Sequence, residues 1–156
     1  MNWYLIIGVV TIVLFGMALL TVPLGTKLRR HNDNQAIRLF QQRREMLEAK
    51  FFDMARVQDK PRGLRWLDCD WLNDVTFARD KKSGLLTAFV SINVRFEAIE
   101  GGGMEDVAAV STVRDAVALF HFYRGSWGTG GKALFNMNPQ EALEKLVAQF
   151  TPVLAS

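Results

Sequence analysis

The chain has 156 residues, 49% hydrophobic and 22% charged, with a formal net charge of +3 and one cysteine. Once an N-terminal apolar segment is set aside, that length serves one domain able to bury a usable core. Cys69 alone rules out an internal disulfide, and Cys69, His31 and His121 rule out a structural zinc site of the usual Cys/His type. The charge is uneven: Thr26 to Arg62 carries ten Lys/Arg against five Asp/Glu (+5), while Gly63 onward carries nine against eleven (−2), so the folded part is slightly acidic and no nucleic-acid partner is expected.

Trp3 to Gly25 is a run of 23 residues without a charge. At about 1.5 Å per residue it crosses a hydrocarbon core of about 30 Å, so residues 3–25 are read as a transmembrane helix. Trp3 and Tyr4 stand where interfacial aromatics anchor a span, and Lys27, Arg29 and Arg30 form the opposite membrane interface. No Lys or Arg precedes the run and no small-residue cleavage site ends it, unlike a removable signal peptide. The basic flank continues through Arg38, Arg43 and Arg44, which predicts a single-pass protein in the lipid bilayer. Its N-terminus is expected outside and its C-terminal domain in the cytoplasm. The same flank is expected to attract anionic head groups.

Residues 26–62 are read as a basic juxtamembrane segment leading into an amphipathic helix, Asn32 to Gln58. Asn32 and Gln35 supply a cap. Apolar residues follow at Ile37, Phe40, Leu47, Phe51 and Met54, with Arg44 in the missing position. Such a stripe suits a homodimeric coiled coil through Ile37, Phe40, Leu47 and Phe51, or a helix lying on its own sheet. Fewer than about three heptads favours the second.

Residues 63–156 are read as a sheet domain packed with that helix. Leu64 to Trp71 suggests a short edge strand and Val75 to Arg79 another, before a polar turn at Asp80 to Gly84. Leu86, Ala88, Val90, Ile92, Val94 and Phe96 alternate with a mixed face, the clearest strand in the chain. After Glu100 to Asp106, Val107 to Arg114 reads as a helical turn or irregular, and Asp115 to Arg124 as a second long strand. Gly125 to Gly131 reads as a turn and Lys132 to Met137 as a third strand. Asn138, Pro139 and Glu141 start a C-terminal helix with Leu143, Leu146, Val147 and Phe150 as its apolar face.

The fold class is therefore α+β: a transmembrane helix, an amphipathic helix, an antiparallel meander of about four strands and a C-terminal helix, with the helices on one face. This element order resembles the cystatin or NTF2-like class of roll. The resemblance implies a pocket between sheet and helix, with His121, Arg95 and Glu97 as its polar groups.

The chemistry-bearing segments are few. Gly125 to Ala133 imitates a phosphate loop, but Ser126 stands where its first glycine belongs, Ala133 offers no hydroxyl, and a strand follows instead of a helix. Cys69 lies between Asp68 and Asp70, whose charges make a poor thiolate. Trp66, Trp71 and Trp127 read as core or rim aromatics. The unusual segment is Glu100-Gly101-Gly102-Gly103-Met104-Glu105-Asp106. Its glycines free the backbone, suiting a partner-binding loop; its acids, with Glu97, suggest a calcium site without EF-hand spacing; and a plain strand connection explains it as well. No catalytic residue, cofactor or metal follows. The expected function is a membrane-anchored, non-catalytic interaction module, adaptor or accessory subunit of a membrane complex. The alternative is a small-ligand-binding or enzymatic roll domain.

Overall fold

A computed structural model describes residues 3, 7, 8, 10, 11, 29–58, 63–107, 110 and 112–154. The chain divides into two compact units, Met1–Gln35 and Ala36–Ser156. In the first, the described residues are helical, Thr11 donating its hydroxyl to the Ile7 carbonyl at 2.7 Å. Trp3, Arg29 and Arg30 are exposed. Tyr4, Lys27 and most of the predicted span lie outside the described residues. Among the described residues no helix is long and apolar enough to cross a membrane.

The second unit is α+β. Within this unit helix α1 (36–42) delivers Ala36, Ile37 and Phe40 to the core, and α2 (Arg44–Gln58) delivers Leu47, Phe51 and Ala55. The single helix expected over Asn32 to Gln58 is thus two pieces. Arg43 sits in a turn between them, its N–H shared between the Leu39 and Phe40 carbonyls at 3.1 and 3.2 Å. The stripe offered as a homodimer face is buried: Ile37 is 5% exposed, Phe40 and Leu47 1%, and Phe51 0%. Those side chains pack on the chain's own sheet and present no surface to a second protomer.

Six antiparallel strands form that sheet: β1 (Leu64–Asp80), β2 (Leu86–Ala98), β3 (Arg114–Tyr123), β4 (Ser126–Gly128), β5 (Ala133–Phe135) and β6 (Phe150–Val153). Their order is β4-β3-β2-β1-β6, with β5 also on β3. The two short strands expected over 64–79 are one strand, because β2 alternates without a break and β1 follows it. Two irregularities absorb the mismatch. Leu67 is extra between Trp66 and Asp68, and Leu72, Asn73 and Asp74 face only Ser91 between the pairs Trp71–Ile92 and Val75–Val90. The turn expected over Gly125 to Gly131 narrows to Arg124 and Gly125, since Ser126 to Gly128 already pair with β3. The C-terminal helix, α3 (Pro139–Lys145), is shorter than expected. Phe150, placed on its apolar face by the sequence, begins β6 and pairs with Asp80, while Val147 is 62% exposed.

Both sheet faces are covered in part. The inner face, from Leu86 to Phe96 on β2 with Ala116, Ala118 and Phe120 on β3, meets α1 and α2. The outer face puts Ala78, Phe89, Val117 and Leu119 against Ala142, Leu143 and Phe150. The helices therefore lie on opposite faces, not on one. The cause is the mixed face of β2: Phe89 is apolar and fully buried, and Thr87 and Ser91 are at most 9% exposed, so this face takes a helix too.

Candidate docking groove

α3 covers only part of the outer face. Toward the other end of the sheet the same face carries cross-strand ion pairs, Arg65 with Glu97 and Arg95 with Asp68. Where the covered and bare parts meet lies an open groove of about 760 Å³. Leu72 at the β1 bulge and Ser91 form one wall, residues 112–115 entering β3 another, and Asn136 to Asn138 with Glu141 the third. Leu72 and Val113 expose 38% and 48% of their surface at its rim.

The third wall is held rigidly. The Asn138 side chain accepts from the Glu141 N–H at 2.9 Å, and the Glu141 carboxylate accepts from the Asn138 N–H at 3.1 Å, the expected capping box. Asn136 has a left-handed backbone, φ 58°, fixed by its N–H to the Asp115 carbonyl at 2.8 Å. The arrangement offers apolar contact at the rim and hydrogen-bonding groups below.

The Glu100–Asp106 loop leads into residues 112–115, so the chain connects it to this groove. Its glycines have a geometrical cause. Gly101 and Gly103 take φ of 76° and 74°, and a Cβ on Gly102 would stand 2.8 Å from the Ile99 carbonyl oxygen and 2.9 Å from the Gly63 Cα. The Glu105 carboxylate accepts from the Gly101 N–H, and hydrogen bonds within this loop hold it below the usual carboxylate range. Met104 packs on the core, while Glu100, Glu105 and Asp106 are exposed. Among the described residues no group of three or more His, Cys, Asp or Glu comes together as a metal site. Because chain geometry explains the glycines, the docking reading rests on the groove.

The remaining candidates are dispersed. His121 pairs in register with Thr87, eight residues from Arg95 along β2, which is about 26 Å. The sequence-suggested grouping of His121 with Arg95 and Glu97 is therefore not formed. The His121 Nδ1 lies 3.1 Å from the hydroxyl of buried Thr87. Burial holds its imidazole below the usual value, Lys132 adds to this and Asp80 opposes it. The Cys69 thiol is pushed up to about 12 by burial, with Asp68, Asp70 and Glu48 adding to it, so it is no nucleophile near neutral pH. In the glycine-rich segment before β5, Trp127 is buried and Gly131 abuts α2, so this stretch serves packing.

A second concavity, of about 340 Å³, lies on the inner side, where the turn at Arg43 and the bulge at Leu72 to Asp74 face each other. Ile37, Phe40, Val75 and Phe77 give it an apolar floor, with Val153 and Leu154 at its end. Arg44 spans the two irregularities. It donates from Nε to Glu48 at 2.6 Å and from Nη2 to the Leu72 carbonyl. The inner concavity lies between helix and sheet, the place the roll resemblance implies, though His121, Arg95 and Glu97 do not line it; the outer groove was not anticipated, since it depends on a bulge that only strand pairing reveals. No family model, curated protein or solved structure matches the chain.

Proposed function

We propose that the protein is a single-pass, membrane-tethered interaction module whose sheet domain, on the cytoplasmic side, docks a partner protein in the outer-face groove. The groove carries this reading: an open concavity of about 760 Å³ with exposed Leu72 and Val113 at its rim and a capped helix start as one wall. The charge-free run from Trp3 to Gly25 and the basic flank after it support the tether and its orientation.

A photo-crosslinking residue at Val113 in intact cells is expected to capture a discrete protein. The same residue at Met46, on the outer surface of α2, is expected to capture none. Leu72→Asp combined with Val113→Asp removes the capture while the domain stays folded. Equal capture from both positions, or capture that survives the double substitution, rejects the groove. Ready labelling of a cysteine placed at position 156 by an impermeant maleimide in intact cells rejects the orientation.

A further inference from the structure

The free edge of β1 is a surface separate from the outer-face groove. β2 pairs along one side of β1 from Leu64 to Arg79, whereas β6 pairs along the other side at 77–80 alone. Among the described residues no strand lies beside residues 64–76 on that side. The ladder shows which groups point outward. At one end the Gly63 carbonyl accepts from the Ile99 N–H, and at the other the Asp80 N–H donates to the Leu85 carbonyl. The next residue, Lys81, donates its N–H to Gln149, on the β6 side. Antiparallel ladders alternate in this way. Counted along the register, the alternation turns the backbone groups of Asp68 and Asp70 toward β2 and those of Cys69 and Trp71 away from it. The outward Cys69 N–H donates to the carboxylate of Asp68 at 2.8 Å.

A row of outward backbone groups is a template for another strand. The bulges at Leu67 and at 72–74 confine the regular stretch to residues 68–71. Its side chains select the strand that fits. On the outer face Asp68 is paired with Arg95. Asp70, and Asp74 in the bulge, are exposed and form no ion pair with a described residue. On the inner face Cys69 and Trp71 are half-buried. A second copy pairing antiparallel through the same residues would set Asp68 opposite Asp70 in the register centred on Cys69. In the register centred on Asp70 it would set Asp70 opposite its own counterpart. Like charges directly opposite destabilise such a pair, so the edge disfavours its own copy and favours a strand of the other sign.

We infer that residues 68–71 of β1 take an extended basic segment of a partner protein as an added strand, antiparallel as β6 is on the same edge. Its backbone pairs with Cys69 and Trp71, and its Lys or Arg side chains, alternating with apolar ones, face Asp70 and Asp74. The incoming carbonyl takes the Cys69 N–H over from the Asp68 carboxylate, which stays bonded to Arg95.

The test uses the full chain in zwitterionic lipid nanodiscs and titration calorimetry, with empty nanodiscs as the blank. The probes are capped hexapeptides alternating Lys with Val or Glu with Val. The Lys-Val peptide is expected to bind saturably and about tenfold more tightly than the Glu-Val peptide. In the antiparallel pairing its Val nitrogens face β1 and its Lys nitrogens face away. Methylating the Val nitrogens should weaken binding about tenfold, and methylating the Lys nitrogens should leave it within about threefold. Asp70→Asn with Asp74→Asn should weaken the Lys-Val peptide about fivefold. Cys69→Pro removes an outward N–H, at an edge where proline is tolerated, and should weaken it about tenfold. No saturable Lys-Val signal, equal affinity for the Glu-Val peptide, or equal affinity for the two methylated peptides overturns the inference. A dimer seen by sedimentation in detergent that Cys69→Pro dissolves gives the edge to a second copy and overturns it too. If Cys69→Pro fails to fold, equal affinity of the two methylated peptides for the unaltered chain overturns it alone.

Discussion

Trp127 donates its indole N–H to the backbone carbonyl of Ala36 at 2.7 Å, across 91 positions of sequence. The bond is buried, and the same ring lies 5.0 Å from Phe40, 5.3 Å from Phe122 and 6.1 Å from Phe77, centre to centre. One side chain on the three-residue strand β4 thus fastens α1 to the sheet. Trp127→Phe keeps most of the ring packing and loses the bond, for an expected cost of about 1 kcal/mol. Trp127→Ala also leaves a cavity, and about 3–5 kcal/mol is expected. Denaturant unfolding followed by near-ultraviolet circular dichroism measures both, and equal costs would show that the ring packing is not the larger part.

Gly131 sets how closely the loop before β5 approaches α2. A Cβ there would lie 2.6 Å from the Ala55 nitrogen and 2.7 Å from the Met54 carbonyl carbon, on a backbone at φ +71°. Its obstacles are backbone atoms, so the helix or the loop must move. Gly131→Ala should cost at least about 2 kcal/mol. Gly130→Ala meets nothing within 4 Å and should change little. A melting temperature unaffected by Gly131→Ala would show that the approach is looser.

The three loop glycines should separate by mechanism. At Gly101 and Gly103 a Cβ meets open space and only the positive φ is strained, costing about 1 kcal/mol each. At Gly102 a Cβ collides with the Ile99 oxygen and the Gly63 backbone, so Gly102→Ala is the most destabilising of the three. Three single-alanine variants compared by thermal melting check the order. A uniform effect would point to backbone freedom alone as the reason for the run.

Two groups make stability fall with acid, in different windows. The His121 imidazole is held below its usual value of 6.5 by burial, so folding favours the neutral ring. That stability is present above the unfolded value and is lost as pH falls from about 6.5 toward the lower folded value. The Asp80 carboxyl sits at about 2 instead of 3.8, chiefly through the Gln149 side chain, then the N–H groups of Ser83 and Lys82. Its contribution is present above the unfolded value and is lost as pH falls through the interval down to about 2. Melting curves from pH 7 to pH 3 should lose their upper step in His121→Gln and part of their lower step in Asp80→Asn. An upper step that persists in His121→Gln would place it on another group.

By itself the sequence determined whatever has a local period or a local bond. The alternation from Leu86 to Phe96 puts one face inward because successive strand side chains point to opposite sides, and all six are at most 3% exposed. The turn after Asp80 and the Asn138–Glu141 capping box follow from side chains that bond backbone a few residues away. Tertiary structure alone decided that Leu64 to Asp80 is one strand, that Phe150 belongs to β6, and that a one-residue turn at Arg43 separates α1 from α2. Each of these follows from a partner far along the chain. β2 supplies a continuous edge that tolerates the bulges of β1, and Asp80 pairs with Phe150 across 70 positions. Arg44 is drawn to a carbonyl 28 residues on. Hydrophobic period says which side chains seek burial, but not which surface buries them. So Ile37, Phe40, Leu47 and Phe51 also fitted a dimer seam, the less favoured reading, and it is the chain's own sheet that buries them. Both concavities arise the same way, at places where long-range pairing forces a bulge opposite an element that does not fill it.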